Sequence, residues 1–118
     1  MKRLFLSLYL LSILIGCNKK YISYNDIEIK NFKFYKKCEG IPYTGEVKIF
    51  YKNSRKLTEE FNVKDGEIKG VAKGYYYNGQ VAYEQNYKNG KREGIQKIYN
   101  EKGELTNKKL YINGILKN

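Results

Sequence analysis

The 118-residue chain has no histidine, no tryptophan, a single proline at Pro42, and two cysteines, Cys17 and Cys38. Without histidine the commonest general base is missing, and neither a Ser-His nor a Cys-His nucleophile pair can be assembled. Zinc sites draw on several Cys or His ligands, so no metal site is expected. No glycine loop is followed by helix signals, which removes the usual phosphate cradle. The neighbouring carboxylates Glu59 and Glu60 would point to opposite faces of a strand and so make no hydrolytic pair. The chain therefore reads as a non-enzyme without cofactors. The scarcity of proline works the other way, because almost nothing interrupts strand pairing.

What the chain has is a glycine-marked repeat. Asp65-Gly66, Asn89-Gly90 and Asn113-Gly114 recur at 24-residue steps, closing segments that end in Val63, Tyr87 and Tyr111. A second set, Gly45, Gly70 and Gly94, keeps the same rhythm. Periods of this size mark arrays whose units bury their apolar faces only against neighbours. Five residues past each leading glycine stands an aromatic, Phe50, Tyr75 or Tyr99, and three past it a lysine, Lys48, Lys73 or Lys97. In Tyr75 to Tyr83, two β-favouring runs flank Asn78-Gly79, a dipeptide suited to a type I′ turn. Lys102-Gly103 takes that place in the third unit. The first unit has Lys52 to Lys56 without glycine, so its turn should be one residue longer. The return strands alternate as Leu57/Glu59/Phe61/Val63 and Val81/Tyr83/Gln85/Tyr87, a period of two. Gly45, Gly66, Gly70, Gly79, Gly90, Gly94, Gly103 and Gly114 are assigned to structural turns. The expected fold is all-β, an antiparallel meander of consecutive hairpins.

The segments Gly40 to Gly45, Tyr75 to Gly79 (YYYNG) and Tyr87 to Gly94 (YKNGKREG) resemble MORN repeats. The similarity is to the bacterial variant found in proteins labelled YwqK-family antitoxins, and it covers roughly Phe34 to Leu116. It implies a single-layer sheet of hairpins, used for protein or lipid contact, with no catalytic set to transfer.

The N-terminus carries a different signal. Lys2 and Arg3 precede an apolar run from Leu4 to Ile15, too short for a spanning helix of ~20 residues. The following Leu14-Ile15-Gly16-Cys17 resembles the lipobox of bacterial lipoproteins. That resemblance implies cleavage after Gly16 and lipidation of Cys17, with several acyl chains holding the protein where one alone binds marginally. An ordinary signal peptide or a short anchor with an incidental cysteine is the alternative. On this reading residues 1–16 are precursor, expected to be helical, 17–26 a tether and 27–118 the repeat domain. The alternating run from Ile27 to Phe34 is expected as its opening strand. Once Cys17 is acylated, Cys38 is the one remaining thiol, either incidental or available to an intermolecular link.

Formal net charge is +11, with 13 tyrosines. A basic, tyrosine-rich face suits nucleic acid in principle, but export to the envelope points instead to phospholipid headgroups, acidic glycans or an acidic partner protein. Alternatively the lysines only keep sheet edges soluble. The candidate binding columns are Lys48, Phe50, Lys73, Tyr75, Lys97 and Tyr99. Two functions are compatible: a lipid-tethered interaction scaffold of the bacterial envelope, at the outer membrane or cell surface, and an antitoxin or immunity protein neutralising a cognate toxin. A fatty-acid probe is expected to label the wild type and not Cys17→Ser; equal labelling of the two would remove the lipoprotein reading.

Overall fold

A computed structural model describes residues 21–37 and 39–117. The expected signal helix, Cys17 and Cys38 lie outside these residues. The described chain is all-β: β1 (Tyr21–Ser23), a single 3-10 turn at Tyr24–Asp26, β2 (Ile27–Lys30), β3 (Lys33–Lys36), β4 (Gly45–Phe50), β5 (Leu57–Lys64), β6 (Glu67–Tyr75), β7 (Val81–Lys88), β8 (Lys91–Arg92), β9 (Gly94–Tyr99), β10 (Leu105–Ile112) and β11 (Ile115–Lys117). The main sheet runs β1-β4-β5-β6-β7-β9-β10-β11, with β8 beside β7, while β2 and β3 form a separate two-stranded sheet. From β4 onward every pairing is antiparallel and between consecutive hairpins.

Turn chemistry sets this register. Asp65-Gly66 takes φ values of 49° and 85°, Asn89-Gly90 52° and 78°, and Asn113-Gly114 52° and 84°. Two successive positive φ angles define the type I′ turn, and Asn or Asp followed by Gly tolerates them best. The other hairpin ends differ from expectation. At Asn78-Gly79 only Gly79 has positive φ, at 89°. The Gly79 N–H donates to Tyr76 O at 2.9 Å and the Tyr76 N–H to Gln80 O at 2.9 Å. This is the three-residue loop in which a type I turn is followed by a left-handed glycine bulge. Asn78 does not enter the left-handed region because its Oδ1 accepts from the Gln80 N–H instead. Lys102-Gly103 repeats the pattern, with Gly103 donating to Asn100 O at 3.0 Å. The first of these loops, residues 51–56, is one residue longer than 76–80 and 100–104.

Three glycines assigned to turns belong to strands. Gly45 and Gly94 open β4 and β9, and Gly70 lies inside β6. Gly70 has φ 79° and sits where the β5 pairing jumps from Glu60↔Lys73 to Asn62↔Lys69. It therefore accommodates a bulge that bends the strand. Gly94 has φ 86° at the corresponding break between β8 and β9.

The core lies against β4, β5 and β6. Ile22, Ile27, Tyr43, Val47, Phe61, Val63 and Ala72 are buried together, with Phe34, Ile49, Ile68 and Tyr87 packed around them. Removing a side chain such as Val47, with 0% exposure, from water stabilises by roughly 1.5–3 kcal/mol. Two boundaries change as a result. Residues 21–26 of the expected tether are structured, because Ile22 (2% exposed) enters the core as β1 pairs in parallel with β4. The expected opening strand over 27–34 folds back on itself, because Asn31 and Phe32 take φ values of 51° and 63°. The resulting hairpin pairs Ile27 with Lys36 and Ile29 with Phe34, and the Phe34 ring lies 5.8 Å from that of Phe61. The hairpin thus covers the apolar face that β4 and β5 would otherwise expose.

Gly74 has a steric role. The Tyr83 ring crosses it, so a Cβ there would stand 2.1 Å from Tyr83 Cε1. For the turn glycines, Gly79→Val and Gly90→Val each force a β-branched residue into left-handed backbone, at a cost of ~1–3 kcal/mol. Thermal midpoints of both variants are expected well below that of Lys88→Val; co-melting with wild type would mean that the turns are assigned wrongly.

Candidate interaction site

Strand alternation divides the sheet into two faces. One carries the core residues Val47, Phe61 and Ala72, continued by the buried Gln85, whose Nε2 donates to Asn86 O at 2.7 Å. The opposite face carries the lysine column. Lys48 pairs across to Glu60, Glu60 to Lys73, Lys73 to Glu84, Glu84 to Lys97, and Lys97 to Lys108. Directly opposed residues share a face, so the three lysines stand in one row. The row is not a uniform stripe of positive charge, because Glu60 and Glu84 stand between successive lysines. One lysine copy follows the next two strands away, or ~10 Å. Lys97 is exposed and meets Lys108, so the row ends in unrelieved positive charge.

The aromatics beside these lysines differ from copy to copy. Phe50 lies 6.2 Å from the Tyr21 ring, over which Lys48 Nζ stands at 4.8 Å, so β1 covers part of the first copy. In the second, Tyr75 Oη donates to Glu60 Oε1. Burial, this hydrogen bond and the charges of Glu60 and Glu84 push the Tyr75 phenol up to about 12. In the third copy Tyr99 is half-buried at the end of β9. On the core face, burial and a hydrogen bond with Glu59 raise the Tyr83 phenol as its ring crosses Gly74. Glu59 and Glu60 thus serve opposite faces. Arg92 closes that face at the far end, its Nη1 donating to Tyr111 Oη at 3.2 Å.

Two sets of contacts that no local motif announces tie unit to unit. Tyr51 Oη donates to Tyr75 O at 2.9 Å, and Tyr76 Oη donates to Tyr99 O at 2.6 Å. Both tyrosines stand six residues past a leading glycine, a column that composition hid among 13 tyrosines. Its third member, Asn100, instead accepts from the Lys102 and Glu104 N–H groups of its own loop. The turn glycines form the second set: the N–H groups of Gly66, Gly90 and Gly114 donate to the carbonyls of Tyr43, Ile68 and Arg92 at 2.8, 3.2 and 2.9 Å. Each acceptor stands two residues before a leading glycine, so the same bond is made in every unit. Among the described residues no group of three or more His, Cys, Asp or Glu is placed to hold a metal ion.

Residues 68–89 and 92–113 each match the family model described as the MORN repeat variant. Both segments run from the carbonyl that accepts the turn-glycine bond to the asparagine of that turn. No curated protein and no solved structure matches the chain. MORN repeats are generally linked to protein or membrane interactions and are typically non-catalytic.

Tyr76→Phe removes a bond between units and is expected to cost about 0.5–1.5 kcal/mol, read as a lower urea midpoint at unchanged slope, whereas Tyr24→Phe on the exposed 3-10 turn should be neutral. Tyr75 makes a pH-dependent contribution. Its folded pKa lies above the ordinary value of 10, so its contribution is complete below that pH and fades as pH rises through about 12. The alkaline loss of stability across this window should be smaller in Tyr75→Phe than in wild type; equal losses would show that Tyr75 does not carry it.

Proposed function

We propose that the protein is a non-catalytic protein-interaction scaffold held at the bacterial cell envelope, at the outer membrane or cell surface, through a lipidated Cys17. The observation that carries the scaffold reading is the registered row Lys48-Glu60-Lys73-Glu84-Lys97-Lys108, held in repeat by identical bonds between units. A display whose backbone is already ordered by cross-strand pairing suits a binding surface, since less ordering cost is left for the moment of association. Alternation of sign favours a protein partner over a uniformly anionic glycan. An alternating row rewards a partner whose charges match in sequence, and it penalises one that sets like charge against Glu60 or Glu84. The Phe50, Tyr75 and Tyr99 rings supply apolar area beside the charges, the combination found at interface centres.

The tether rests on Leu14-Ile15-Gly16-Cys17 after the Leu4–Ile15 run. Residues 1–16 are then removed, and the first strand begins at Tyr21, four residues past the anchor. An antitoxin or immunity role is the alternative, favoured by the likeness of YYYNG and YKNGKREG to YwqK-family proteins, and it would use the same face against a toxin.

Crosslinked capture from intact cells tests the scaffold. The triple variant Lys48/Lys73/Lys97→Gln should retain its fold and capture its partner about tenfold less, the loss expected for a single charge-assisted hydrogen bond worth ~1.5 kcal/mol. Undiminished capture would remove the row from the function, and a captured toxin would select the immunity role.

A further inference from the structure

Four turns of the described chain place two successive residues at positive φ, and three of them end in glycine. The fourth, between β2 and β3, carries Asn31 at 51° and Phe32 at 63°. Left-handed backbone is unfavourable for a residue with a Cβ, and phenylalanine lacks the local hydrogen bond with which Asn or Asp offsets it. Tertiary packing does not account for the choice either, because Phe32 is 98% exposed. A large apolar ring thus stands alone in water at a position suited to glycine.

Its surroundings are basic. Lys30 and Lys33 flank the turn, Lys30 paired at 3.6 Å with Glu28. The Phe34 N–H donates to Gly66 O at 2.9 Å, which brings this turn beside the Asp65-Gly66 turn of the main sheet. An open groove of about 670 Å³ follows, lined in part by Lys33, Lys64, Lys69 and Lys88. The acidic groups there are Asp65 and Glu67, so with Glu28 the lysines remain in excess. We propose that the β2–β3 hairpin is a membrane-contacting finger, with Phe32 entering the headgroup region of an anionic bilayer while these lysines meet lipid phosphates. The proposal rests on the membrane tethering proposed above, which would deliver this hairpin, whose first strand begins ten residues past Cys17, to a lipid surface.

A bilayer suits the site better than a protein pocket. A pocket that took the lone ring would have to desolvate the lysines around it. The headgroup region offers phosphates and apolar chain within one layer, where aromatic rings sit and lysines reach outward.

The chain has no tryptophan, so Phe32→Trp introduces a single reporter. The full-length variant is reconstituted with vesicles of mixed phosphatidylglycerol and phosphatidylcholine. Its emission should shift to the blue and be quenched by brominated acyl chains, while Tyr77→Trp, on an exposed loop of the repeat array, stays in water. Unshifted emission from protein that floats with the vesicles overturns the finger and leaves the tether standing. Failure to float overturns both. Equal shifts on pure phosphatidylcholine would overturn the role of the lysines. Phe32→Gly is a second check: it relieves the backbone and should raise the melting midpoint by about 4 °C, whereas a lowered midpoint would show that Phe32 serves folding and overturn the proposal.

Discussion

The hydrogen bond from each turn glycine to the carbonyl two residues before a leading glycine is the contact on which the rest of the sheet depends. It forms only if the turn has two positive φ angles, so that the glycine N–H faces the neighbouring strand. Given that turn, the following strand has one register, and a slip of one residue would move every side chain to the other face. The charge row, the tyrosine bonds and the division into faces all follow. Packing contributes unevenly. The core ends near β7, while Ile95, Leu110, Ile112, Ile115 and Leu116 toward the C-terminal end remain largely exposed. Stability in the later units therefore leans on backbone pairing and on these repeated bonds, as expected where each unit contacts only its neighbours.

The features legible in the sequence are those governed by short-range chemistry. The Asx-Gly pairs and the period-two return strands specify the meander, and strand alternation puts the lysines three past each leading glycine on one face. What stayed hidden depends on contacts distant in sequence. Gly70 lies in a bulge inside β6, which glycine spacing alone does not separate from a turn. Asn78-Gly79 has the composition of a two-residue turn, yet the Asn78 side chain accepts from the Gln80 N–H in a three-residue loop. Nothing local to Ile22 marks a three-residue strand that pairs in parallel with β4. Glu60 and Glu84 were visible as residues, but their positions between lysines emerge only once cross-strand register is known.

That interleaving changes the functional argument. A bare ladder of lysines would suit any extended anion, whereas an alternating row is selective for a patterned surface. Its cost is small, since exposed pairs of opposite charge contribute at most about 1 kcal/mol each. A second positive excess lies along the edge where the Asx-Gly turns and the β2–β3 hairpin gather. The protein thus separates a patterned face from a basic edge, which suits a molecule that meets a partner on one side and a lipid surface on another.

Glu84 and Lys97 face each other as members of one registered row, and the interaction surface depends on that pairing. A double-mutant cycle combining Glu84→Lys with Lys97→Glu measures this directly. Glu84→Lys sets lysines in succession along the row and should destabilise the fold, Lys97→Glu exchanges its contact with Glu84 for one with Lys108 and should be near neutral, and the double reversal should recover most of the Glu84→Lys loss. A double variant whose destabilisation equals the sum of the singles would contradict the register and the interaction surface built on it.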